Sequence, residues 1–121
     1  MSLKTLLSIH LLFCSVFCSI IQRELKYERK ILSPDGFAKS VITVNGQFPG
    51  PMLNGSIGDV MVITVLNNLP FGEQLSVHWH GINQINTSWS DGAAGITNCP
   101  IEASTNYTYE FSLTECKLSK I

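Results

Sequence analysis

The sequence is poor in charge. Of its 121 residues eight are Lys or Arg and nine are Asp or Glu, 14% in all, against the roughly 25% of an average soluble domain. There is no basic excess and no cationic cluster beyond the pair Arg29-Lys30, so a nucleic acid or an anionic membrane surface has little electrostatic support as a partner. The four cysteines form no C-x-x-C pair, which removes the common thiolate metal motifs. No histidine follows His80. No stretch after residue 22 has helical periodicity, and neither internal repeats nor low-complexity segments occur. The length itself allows one domain and no more.

What the sequence does have is 45% hydrophobic residues, and much of that excess lies at the front. Residues 1–21 carry one Lys, then an apolar stretch from Leu6 to Phe17 without an acid, the pattern of a secretory signal peptide. Small residues at Ser15, Cys18 and Ser19 place cleavage after about residue 18 or 19. An uncleaved anchor is the rival reading, but a spanning helix wants about 20 apolar residues and Gln22, Arg23 and Glu24 end this run early. No stable membrane anchor is expected, and the mature chain is expected to be secreted and extracellular. Removal of residues 1–18 takes away Lys4 alone among the charges and leaves seven basic against nine acidic groups. Three sequons, at Asn54, Asn86 and Asn106, agree with export as glycosylation candidates. Cys14 and Cys18 belong to the leader. Cys99 and Cys116 remain, and in an oxidising compartment they can pair only if their Cα atoms approach within bonding range.

The mature part reads as β structure. Leu25 to Ile31 and Ser40 to Val44 flank the turn signal Ser33-Pro34-Asp35-Gly36, and Asn45-Gly46 turns the chain again. Two prolines in Phe48-Pro49-Gly50-Pro51 remove backbone donors and make that segment a surface crossing. Val60 to Leu66 is apolar on both faces, as a buried strand requires. Leu75 to Trp79 reads as a further strand. Tyr107, Tyr109, Phe111 and Leu113 alternate with polar residues, a period of two with an aromatic inner face. Short strands between turn signals over roughly 100 residues indicate an all-β fold, an antiparallel sandwich or barrel.

The chemistry is concentrated in residues 76–101. On a strand, His78 and His80 leave the same face about 7 Å apart with Trp79 facing the other way. Two imidazoles so placed can point at one metal, or at two a few ångströms apart, and neutral imidazole suits copper, zinc or iron. Two partly exposed histidines with no ligand share that spacing. Gly81 permits a sharp turn or a close backbone approach, and Trp89, Asp91 and Gly92 make the following loop richer in special residues than a plain connection needs.

His78-Trp79-His80-Gly81, Gln84, Trp89, Asp91-Gly92 and Thr97-Asn98-Cys99-Pro100-Ile101, in that order, resemble the first copper-binding signature of the multicopper oxidases. The likeness is closest to laccases and looser to ascorbate oxidases and ferroxidases. Val44 to Pro51 and Gly58-Asp59 are similar to the opening of the family's first domain, so the resemblance covers Leu25 to Leu113. It implies a cupredoxin-like (plastocyanin-like) Greek-key domain over residues 22–113, incomplete at its C-terminal end, with 114–121 as an aberrant or truncated tail. It also implies copper as cofactor, with His78 a ligand of type 2 copper and His80 of type 3 copper. Asp91 resembles an acid that helps deliver protons during oxygen reduction, while as a plain residue it is a turn former with Gly92. Trp79 and Trp89 are read as packing residues that fix the loop. Cys99 resembles a cysteine that joins another domain by a disulfide, leaving a free thiol or a bond to Cys116 as the options here. The family's cluster takes eight histidines from its first and third domains, so partners of this domain are copper ions and the second and third cupredoxin domains. The family reaction is one-electron oxidation of phenols coupled to reduction of dioxygen to water. Alone, the chain is expected to be inactive. A cupredoxin-like electron carrier and a cell-surface glycoprotein are the alternatives.

Overall fold

The computed structural model describes residues 18–114. Apart from Cys18, the expected leader lies outside the described residues, as do Cys116 and the tail after Thr114. Four strands form one sheet: β1 (Ile20–Leu32), β2 (Lys39–Val44), β3 (Val60–Asn67) and β4 (Asn106–Ser112). Their order is β2-β1-β3-β4. A single three-residue 3-10 turn, Ser88–Ser90, is the one helical piece among the described residues. The all-β class expected from the sequence is what is found.

Strand direction is mixed where the sequence suggested an antiparallel arrangement. β1 pairs antiparallel with β2 along Tyr27–Leu32, and parallel with β3 along Ile20–Tyr27. The chain goes up β1, down β2, and crosses through residues 45–59 to the other side of β1, so β3 must run with β1. β4 then returns antiparallel to β3. At 13 residues β1 is long enough to serve two neighbours with its two halves.

Local chemistry sets these paths. Gly36 N–H donates to Ser33 O at 3.1 Å and closes the turn between β1 and β2. Asn45 (φ 51°) and Gly46 (φ 76°) occupy the left-handed region between Val44 and Gln47, which exchange two backbone hydrogen bonds. This is the primed hairpin turn that Asn-Gly favours. The Asn45 side chain ties the turn to β1, accepting from Lys26 N and donating to Glu24 O. Asp59 is buried, and its carboxylate accepts the amides of Ser19 (3.0 Å) and Ser56 (2.8 Å). Those amides hold its pKa below the usual carboxylate value, the Ser56 bond first and Ser19 second. The acid thereby pins the beginning of β1 to the beginning of β3.

The inner face of the sheet presents Leu25, Met61, Ile63, Val65, Tyr109 and Phe111. Val77, Trp79 and Ile101 close over it from the segment between β3 and β4. Leu25, Ile63 and Val65 are at most 1% exposed, and burying each such side chain contributes about 2 kcal/mol. β3 alternates between buried and half-buried residues, as suits a strand with neighbours on both edges.

Candidate metal centre

Residues 75–80 lie across the core, and from residue 77 to 80 buried and exposed side chains alternate. Val77 (6% exposed) and Trp79 (3%) are buried, whereas His78 and His80 face out. The expected strand here is not a ladder. Its one bridge joins Leu75 to Ile101 through two backbone hydrogen bonds of 3.1 and 2.7 Å. Alternation reports which side chains are buried, and here a side-chain floor replaces a neighbouring strand. Trp79 packs on Tyr109 (centroids 5.4 Å) and Phe111 (5.0 Å), and Val77 N–H donates to the Tyr109 hydroxyl at 3.2 Å. The backbone is therefore clamped on both sides of His78.

The two imidazoles sit edge to face, with ring centroids 6.1 Å apart. His80 begins a turn closed by Ile82 N–H to Trp79 O at 3.0 Å, and Gly81 takes φ +85°. Beyond it, Gln84 is buried with φ 46°, and its Oε1 accepts from Thr87 Oγ1 at 2.8 Å. Ser90 is buried in the 3-10 turn, its hydroxyl 3.3 Å from that of Tyr107. Trp89 departs from expectation. It is 58% exposed, because the turn directs Ser90 inward instead, and it packs nothing into the core.

Asp91 and Gly92 return the loop to the histidines. The Asp91 main-chain oxygen is 2.7 Å from His78 Nδ1, and its Oδ1 is 3.4 Å from the same nitrogen. Gly92 O accepts from Ser76 Oγ at 2.7 Å. A tight turn through Ala93–Asn98 follows, with Gly95 N–H donating to Asn98 O at 2.8 Å. Cys99 is exposed, and its thiol is free among the described residues.

The structure thus brings together His78, His80 and Asp91. It leaves Cys99 and the sequon asparagines Asn54, Asn86 and Asn106, all exposed, outside this cluster. Imidazole nitrogen is a donor that copper accepts, so the residue types fit that ion. Among the described residues no group of three or more His, Cys, Asp or Glu side chains is placed to hold a metal. Two imidazoles alone can fill only part of a metal's coordination shell.

The family model for multicopper oxidases matches residues 26–119. The chain belongs to the multicopper oxidases. It is 41% identical over 96 residues to dihydrogeodin oxidase of Aspergillus terreus, covering 79% of this chain and 16% of that protein. It is 47% identical over 74 residues to Laccase-19 of Oryza sativa subsp. japonica, covering 61% of this chain and 12% of the relative. The crystal structure of a laccase from Botrytis aclada superposes with a TM-score of 0.77 at 38% identity, over 81% of this chain and 18% of that one. The chain therefore spans less than a fifth of the length of these relatives. Copper is the cofactor that membership of the multicopper oxidases brings. These relatives are oxidases, which favours the laccase-type reading over a lone electron carrier or a surface glycoprotein. No helix among the described residues is long and apolar enough to cross a membrane.

Proposed function

We propose that this chain is the copper-binding first domain of a secreted laccase-type multicopper oxidase, with His78 as a ligand of type 2 copper and His80 of type 3 copper. One observation carries the reading. His78 and His80 face out, 6.1 Å apart, from a segment whose alternate residues, Val77 and Trp79, are buried in the core. Their ring nitrogens are thus offered to something beyond this domain's own surface. Copper, when bound, supplies the one-electron acceptor and the site of dioxygen reduction. The remaining ligands belong to further cupredoxin domains, which are the partners in this reading, and the reductant is a phenol.

Asp91 has a second part here. Its carboxylate is 36% exposed and lies beside His78, so it can pass protons between solvent and the ligand pair. Export is supported by the leader pattern and by the exposure of Asn54, Asn86 and Asn106. Cys99 resembles the family's cysteine that joins another domain by a disulfide, and in this chain a free thiol or a bond to Cys116 are the options.

Calorimetric titration of Cu(II) into the purified chain and into a His78→Ala/His80→Ala variant tests the assignment. The account predicts at least about tenfold weaker binding by the variant, or about 1.4 kcal/mol. Equal affinities would overturn it.

A further inference from the structure

The copper reading leaves open which nitrogen of His78 faces the metal, and the loop after the 3-10 turn answers it. His78 Nδ1 meets two oxygens of Asp91, the main-chain carbonyl at 2.7 Å and Oδ1 at 3.4 Å. Both oxygens only accept, so Nδ1 carries the hydrogen. In the neutral ring the lone pair then resides on Nε2. The shorter contact is the carbonyl, so the group that selects the tautomer belongs to the backbone.

The position of that carbonyl depends on the next residue. Gly92 has φ +85°, and a Cβ added there would lie 1.9 Å from Val77 O, 2.5 Å from Val77 C and 2.8 Å from His78 N. All three are backbone atoms, in a segment clamped by Trp79 in the core and by the Tyr109 hydroxyl on Val77 N. They cannot swing away as the end of a flexible side chain would. A side chain at position 92 must therefore push the loop off the histidine segment. Ser76, two residues before His78, holds the loop down by donating to Gly92 O at 2.7 Å.

We infer that Gly92 and Ser76 are positioning residues. Together they seat the Asp91 carbonyl on His78 Nδ1, which fixes the Nδ1–H tautomer and turns Nε2 outward as the donor atom. The inference rests on the reading of His78 as a copper ligand, but the tautomer is a property of the metal-free chain and is measured without copper. Hydrogen bonds to the far nitrogen of a ligating imidazole orient the ring, and their loss typically lowers metal affinity about 10–100-fold.

Long-range nitrogen–proton NMR of the histidine-labelled, metal-free chain, at a pH where imidazole is neutral, distinguishes a protonated ring nitrogen from one with a lone pair. The expected result is a protonated Nδ1 on His78 in the wild type. The same is expected in Asp91→Ala, which keeps the carbonyl. Ser76→Ala is expected to give a mixture of tautomers and Cu(II) binding about tenfold weaker, with a larger change in Gly92→Ala. If Gly92→Ala does not fold, Ser76→Ala carries the test, since it removes a hydroxyl without adding bulk. A lone pair on Nδ1 in the wild type would overturn the inference. So would an unchanged tautomer and unchanged affinity in Ser76→Ala. A protonated Nδ1 that Ser76→Ala disturbs, in a chain that does not bind copper, would reject the copper reading and still support the positioning role.

Discussion

Asp59 shows how much a single side chain does at the entrance to the sheet. Its buried carboxylate holds the amides of Ser56 and Ser19 and has a lowered pKa for that reason. The folded chain thus binds this proton less readily than the unfolded one. Its contribution to stability is present at neutral pH and is lost as the pH falls through the folded-state pKa. Denaturant midpoints followed from neutral to acid pH should fall for the wild type. Asp59→Asn should be less stable at neutral pH, with a flatter acid profile; parallel profiles would contradict this role. Sequence reading stops short at this scale. Gly58-Asp59 was legible as an opening motif, but the Ser19 amide that Asp59 binds is 40 residues away. The bond from Val77 N to the Tyr109 hydroxyl is hidden for the same reason, spanning 32 residues. Trp89 misled because an aromatic residue in a loop suggests packing, whereas the 3-10 geometry assigns the inward place to Ser90.

At the scale of elements, turn chemistry and alternation were legible, and pairing was not. Asn45-Gly46 announced a turn, and the turn is there with both residues at positive φ. The aromatic row of β4 was equally plain, with Tyr109 (0% exposed) and Phe111 (4%) in the core. The parallel contact of β1 with β3 had no local signal, because it depends on where residues 45–59 carry the chain. Leu75 to Trp79 looked like a strand because apolar and polar residues alternate in it, yet beyond the single bridge at Leu75 its contacts are to aromatic rings rather than to a ladder. The turn invites a test. Gly46→Ala places a Cβ at φ +76°, at a cost of about 1–2 kcal/mol. The nearest atom, Lys30 Nζ, ends a flexible side chain and can move aside, so backbone strain should dominate. Urea denaturation should show that loss, with amide exchange faster in β2 than in β3; an unchanged midpoint would argue against the turn's role.

The whole molecule is a sheet used as a floor. Its aromatic face grips Val77 and Trp79, and that grip leaves His78 and His80 facing out, with Asp91 returned beside them by a loop that needs a glycine to close. The ordered motif between His78 and Ile101 made the family legible from sequence and singled out His78 and His80 as candidate ligands, since its residue types and spacing are unusual together. The seat beneath the pair was not legible, being built from contacts between segments far apart in the chain. The central claim is that these two imidazoles are the chain's copper donors. Pulsed EPR of the histidine-labelled chain, loaded with one equivalent of Cu(II), tests it most directly. The account predicts nitrogen couplings from imidazole that diminish in His78→Ala and in His80→Ala and vanish in the double variant. Couplings that persist unchanged in the double variant would contradict it.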